Sequence, residues 1–241
     1  MTKYNTTMNI TSEKIIVADL KPAISLRWVA ISIMTLITLI LFATSLPIIS
    51  KTLVGTQPKA YWYLSRASSF VGFGLITLSM FFGLSISSKV KGIEGMGRMG
   101  WFELHQHSSL LGLAFIVMHV LILLGDQYLH FTLAQLFVPF ASLNYEPFWV
   151  GVGQIGFYVL LLVTLSFYAR PRIGHGTWRI IHYASFGLYW LIVLHALMSG
   201  SDSKTLIASA VLALSSFGVV GFTIYRMLAS LAAKPNAIQK K

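Results

Sequence analysis

Apolar residues gather along this chain into six long blocks, separated by short polar segments. Each block can supply the roughly 20 residues that a helix needs to cross a bilayer. The blocks fall at about 26–49, 61–85, 104–125, 149–169, 179–199 and 205–229. They predict an all-α integral membrane protein, a six-transmembrane-helix bundle over residues 26–229. Residues 1–25 form a cytoplasmic N-terminal segment and 230–241 a basic cytoplasmic tail. The first block starts late, after a polar stretch with both charge signs, and runs longer than a signal-peptide core, so it reads as a span. No internal repeat, low-complexity tract or second domain stands out.

Composition agrees. The chain has 241 residues, 56% hydrophobic and 10% charged, with mean hydropathy +0.73. Soluble domains carry about 25% charged residues. The net charge of +11 raises nucleic acid as a partner. The basic residues, however, lie between the apolar blocks and not on one amphipathic surface, which excludes that reading and makes the lipid bilayer the partner. With the N-terminus inside, fourteen Lys and Arg fall on the cytoplasmic side and four (Lys51, Lys59, Arg66 and Lys204) outside. That positive-inside asymmetry predicts two cytoplasmic termini, in what is expected to be a bacterial plasma membrane. Gly92, Gly95, Gly97 and Gly100 predict a flexible second cytoplasmic connection. The outer segment 126–148 lacks Lys and Arg, and its apolar patch Phe131–Phe140 reads as interfacial or re-entrant.

Four histidines carry the candidate chemistry. His105 and His119 share one block, 14 residues apart; His182 and His195 share another, 13 apart. An intramembrane histidine is costly unless something satisfies it. Both blocks start from the cytoplasmic side, so the helices run parallel. At 1.5 Å per residue, His105 and His182 define one level and His119 and His195 another about 20 Å away. Two helices offering one imidazole each at two depths can grip two metal cofactors, and haem iron is the obvious candidate. Two axial imidazoles saturate the iron, which favours electron transfer over oxygen binding. The chain has no cysteine, which excludes disulfides, iron–sulfur clusters, thiolate ligation and covalent haem attachment.

Helical phase supports the ladder in part. Fourteen residues return to within roughly 40° of the same face, whereas thirteen leave His195 roughly 140° from His182. A bend, a wider turn near Gly187 or differently rotated haem planes would reconcile them. Small residues leave room for a flat macrocycle or for close helix packing: Ser108, Ser109, Gly112 and Ala114, then Ala184, Ser185 and Gly187. Haem propionates need cations. Arg66 is the candidate at the outer level, Arg98 and Arg179 at the inner one, with topology determination as their other role. His107 competes with His105 but has a worse phase to His119. His130 and His175 read as solvated.

The run Tyr61-Trp-Tyr-Leu-Ser-Arg66-Ala-Ser, the His105–His119 pair and Trp178-Arg179-Ile-Ile-His182 followed by His195 together resemble the ferric reductase-like transmembrane domain, over about residues 60–200. That superfamily includes ferric reductases, the membrane parts of NADPH oxidases and the haem subunit of the periplasmic methionine sulfoxide reductase system. The resemblance implies two b-type haems with His105, His119, His182 and His195 as axial ligands. It also implies electron flow from the cytoplasmic side to an outer acceptor, such as ferric iron as a chelate or an extracytoplasmic protein. Family oxidases and reductases carry a flavin and nicotinamide module after the last helix. About a dozen residues follow the last block here, too few for a βαβ unit of some 30 residues. The expected donor is therefore a separate flavoprotein, a diffusible flavin or a quinol.

Two other functions compete. The sulfoxide-reductase haem subunit often lacks one of the four histidines, and all four are present here. A non-haem transporter would place acidic residues at the midplane. Glu103, Asp126, Glu146 and Asp202 all fall at span ends instead.

Overall fold

The computed structural model describes residues 59–88, 97–143 and 145–232, with 32–33, 35–37 and 40 of the first apolar block. Those six residues are helical. The rest of the first expected span, the segment 1–25 and the tail from 233 lie outside the described residues, as do Gly92 and Gly95. The described chain forms α1 (Ala60–Ser88), α2 (Gly97–Ile122), a 3-10 turn (Leu123–Gly125), α3 (Leu133–Phe137), α4 (Pro147–Ile173), α5 (His175–Ser199) and α6 (Leu206–Ala232), with no strand among them. Five of these helices are long and apolar enough to cross a membrane, and they coincide with the last five expected spans.

Side chains are distributed as lipid requires. Helices satisfy their own backbone groups, the condition for crossing hydrocarbon. Ser65, Ser68, Ser79, Ser108, Gln154 and Ser166 are buried between helices, while Leu165, Ile180, Leu206, Ile207, Leu214 and Phe217 point outward. In water that surface would be a large exposed apolar patch; against acyl chains it is the matched surface. The chain is an integral membrane protein.

Two helical hairpins make the frame: α1 packs along α2 and α4 along α5, while α6 leans on α1. The first hairpin closes through a reciprocal contact. A Cβ on Gly72 would lie 2.8 Å from Ile116 Cδ1, and one on Gly112 2.8 Å from Ile76 Cδ1, so each glycine receives the other helix's isoleucine. Gly112 therefore serves the close packing of α1 on α2. The helices that carry the histidines, α2 and α5, do not pack along each other. Buried Ile76, Leu160 and Leu188 join α1, α4 and α5, and Phe73, Tyr189, Val193, Leu212 and Val219 join α1, α5 and α6.

Two connections differ from expectation. Gly97 and Gly100 belong to the first turn of α2 and not to a loop. The segment around Arg170, Pro171 and Arg172 is also helical. Gly174 alone, at φ +82°, separates α4 from α5, and its N–H bonds to Arg170 O. A glycine tolerates that left-handed region without a Cβ clash, so the chain reverses in one residue. The segment between the 3-10 turn and α4 is anchored as well. Gln154, buried on α4, donates from Nε2 to Gln135 O (2.7 Å) and Leu136 O (2.9 Å) and accepts at Oε1 from Phe140 N–H (3.1 Å). Thr132 and Gln135 form a capping box on α3. Phe131 and Leu136 turn inward, while Leu133, Val138 and Leu143 face out.

Candidate functional site

The histidines meet in two pairs. The rings of His105 and His182 have centroids 5.9 Å apart and planes at 78°; those of His119 and His195 lie 6.5 Å apart at 71°. His105 and His182 lie in the N-terminal halves of their helices, and His119 and His195 nearer the C-terminal ends. The pairing order therefore makes α2 and α5 parallel. Helical rise separates the two levels by about 20 Å.

Main-chain oxygens orient three of the rings. His105 Nδ1 lies 2.8 Å from Ser79 O, His119 Nδ1 2.9 Å from Ser65 O, and His195 Nδ1 2.8 Å from Trp149 O. A carbonyl oxygen only accepts, so each Nδ1 carries the proton and each Nε2 keeps its lone pair. His182 is held by stacking on Trp178, one turn earlier, with centroids 5.1 Å apart and planes at 27°. The 13-residue spacing is met without a break in α5. His182 follows Trp178, whereas His195 leans on α4 between Trp149 and Gly153, where a Cβ would lie 2.5 Å from its Nδ1.

A cavity surrounds each pair. The one at His105 and His182 measures about 500 Å³ and includes Ser79, Gly83, Ser109, Trp178, Arg179 and Arg226 in its wall. The one at His119 and His195 measures about 180 Å³ and reaches Arg66, Phe131, Tyr145, Gly153 and Asp202. Ile76, Leu160 and Leu188 fill the layer between them.

The expected cations divide. Arg66 lines the His119 cavity but is paired with Asp202: its Nε donates to Oδ2 at 2.6 Å, and its NH2 group meets Oδ1. Arg179 lines the His105 cavity and donates to Tyr183 Oη (3.2 Å). Arg98 lies on the first turn of α2, and its side chain is outside the described residues. Arg226, counted in the sequence only for orientation, lines the His105 cavity from α6. Among the described residues no acidic side chain lines that cavity. Ser185 and Ser109 also line it, while Ala184 and Gly187 face outward.

The other histidines stay apart from the pairs. His107 donates from Nδ1 to Glu103 O on its own helix (2.8 Å), so His105 and not His107 meets His182. His130 is exposed at φ 51°. His175 is the exposed first residue of α5, beside Trp178 and on the rim of the larger cavity. Tyr145 donates to Ser199 O (2.6 Å); burial foremost, then Glu146, pushes its phenol above the usual range.

The residues present fit haem. Two imidazoles bound through Nε2 at about 2 Å on opposite sides of one metal place their centroids about 6 Å apart. Among the described residues no three His, Asp or Glu side chains converge, so a metal held by either pair would take two protein ligands, with room for a macrocycle to supply the others. Trp178 Nε1 and Gln106 Nε2 are buried in the larger cavity wall without a partner among the described residues, and are donors an anionic group could use. Comparison with protein-family models, curated proteins and solved structures gives no match.

Proposed function

We propose that this chain is a membrane b-type cytochrome with two haems, one held by His105 and His182 and the other by His119 and His195. One observation carries the reading: two histidine pairs stand at matching depths on parallel helices, each at the ring separation of a shared metal and each bordered by a cavity. Bound there, the haems supply one-electron transfer between two depths, with no coordination position left for oxygen.

The protein's own groups set the rest. The carbonyls of Ser65, Ser79 and Trp149 hold the Nδ1 protons, which fixes the tautomer and leaves Nε2 basic. Arg179 and Arg226 at one level, and Arg66 at the other, supply cations for propionates. Ile76, Leu160 and Leu188 keep the intervening layer dry. Arg170, Arg172, Arg179 and Arg226 mark the Gly174 end as cytoplasmic by the positive-inside rule. In this reading a separate flavoprotein or quinol gives electrons there, and a ferric chelate or extracytoplasmic protein accepts them at the far end, as in ferric reductase-like proteins.

His119→Ala and His195→Ala test the assignment. Each should lose one haem, the same one, and keep the spectrum of the other. Full retention of both haems by either variant contradicts the pairing.

A further inference from the structure

Helix α1 carries no histidine, yet it holds His105 and His119, two of the three histidines of α2, by the same device. Ser65 and Ser79 stand 14 residues apart, the spacing of His105 and His119, and the hairpin brings Ser79 to His105 and Ser65 to His119. At each place the serine carbonyl accepts the Nδ1 proton, at 2.9 Å for Ser65 and 2.8 Å for Ser79. The hydroxyl oxygen lies near the same Nδ1, at 2.8 and 3.0 Å. The Ser65 hydroxyl donates back to His119 O at 2.9 Å, while that of Ser79 lies 3.4 Å from His105 O. Both side chains are buried, 1% and 6% exposed. Other serines of α1 behave differently: Ser68, Ser85 and Ser87 turn back to carbonyls three or four residues earlier on their own helix.

We propose that Ser65 and Ser79 are positioning residues that tune the two haem levels separately, through the Nδ1 proton of the α2 histidine. The inference rests on the dihaem reading. Each Nδ1–H has two oxygens of one serine within reach, and each added acceptor makes the opposite nitrogen a more basic ligand. A more basic imidazole favours the ferric over the ferrous state and lowers the potential of its level. Removing the hydroxyl leaves the carbonyl in place, so the histidine stays oriented while its basicity falls. The Ser79 hydroxyl is also shared with Ser109 Oγ at 2.6 Å, and its approach to His105 O is the longer one. The effect is therefore larger at Ser65.

Potentiometric titration of the purified, haem-loaded protein tests this. Ser65→Ala should keep two haems and raise only the His119/His195 couple. The shift corresponds to up to a tenfold change in ferric-over-ferrous preference, about 59 mV for one electron. Ser65→Thr, which restores a hydroxyl, should return that couple to the wild-type value. Ser79→Ala should move only the other couple, and by less; it is also the independent arm if Ser65→Ala does not fold. Unchanged couples in variants that hold two haems would overturn the inference and leave the dihaem reading standing. Equal shifts from Ala and Thr would overturn it too, as would a shift of both couples together. A wild-type protein that binds no haem would overturn the dihaem reading itself, and this inference with it.

Discussion

Replacing Gly153 with alanine sets a methyl group against the ring of His195. The new Cβ would lie 2.5 Å from Nδ1, 2.7 Å from Cε1 and 2.8 Å from Cγ, where ordinary contact begins near 3.4 Å. The ring must withdraw by about 0.9 Å. That movement pulls on the 2.8 Å bond from Nδ1–H to Trp149 O, one turn earlier on α4. Overpacking of this kind costs about 1–3 kcal/mol, and a weakened hydrogen bond adds roughly 1 kcal/mol. Loss of the support behind a ligating histidine lowers metal affinity by about 10–100-fold, or about 1.4–2.8 kcal/mol, which overlaps that cost. Gly153→Ala should therefore release the His119/His195 haem to an excess of an apo haem-binding protein about 10–100 times more readily than wild type. Gly83→Ala is the graded comparison. Its Cβ would lie 3.2 Å from His105 Cε1, so the ring yields by a few tenths of an ångström and the other haem loosens less. Gly156→Ala, at 3.6 Å from Leu191 Cβ, is the control and should match wild type. The reasoning is refuted if Gly153→Ala holds both haems as tightly as wild type, or loses the His105/His182 haem instead.

Further outcomes follow from the same geometry. The imidazole planes of each pair are close to perpendicular, so oxidised protein should give the highly anisotropic low-spin electron paramagnetic resonance signals of crossed ligands; rhombic signals of parallel ligands at both levels would contradict this. Gln154→Leu strands three main-chain groups, Gln135 O, Leu136 O and Phe140 N–H, each costing roughly 1–3 kcal/mol if it stays buried. Hydrogen exchange over 133–141 should accelerate, and unchanged protection would count against Gln154 as the anchor. Arg66→Gln removes a pair about a quarter exposed at both ends, so thermal stability should change by no more than about 1 kcal/mol. The potential of the His119/His195 level should fall; a large stability loss with no change of potential would reverse the assignment. The raised Tyr145 phenol favours the neutral form, so its bond to Ser199 O contributes fully below pH 10 and is lost as pH rises through the higher folded value. Ultraviolet titration of Tyr145→Phe should lack one of the late-ionising tyrosines of wild type; titration of that group below 10 would contradict the burial argument.

Much of the frame was legible in the sequence because lipid admits few solutions. Apolar length marked the five spans now seen as helices, although polar residues hid their true ends. Arg170, Pro171 and Arg172 look like a loop by hydropathy, yet the helix continues through them and the reversal needs only Gly174. The meeting of His105 with His182, and of His119 with His195, followed from spacing and parallel direction. Helical phase counted against His195, because an ideal wheel says nothing of how α4 receives the ring at Gly153. Arg226 stayed hidden because α6 reaches the larger cavity only through tertiary packing. Asp202 was noted at a span end, and its pairing with Arg66 joins residues 136 positions apart. The serine pair on α1 left a trace in its 14-residue spacing, but serines in membrane helices commonly bond their own backbone and draw no notice.

The central claim is that this chain holds two haems, each between one histidine of α2 and one of α5. Pyridine haemochrome analysis of protein purified from haem-replete cells, set against an independent measure of chain concentration, tests it most directly. The account predicts b-type haem at two per chain. Protein that is folded, helical and free of haem would contradict it.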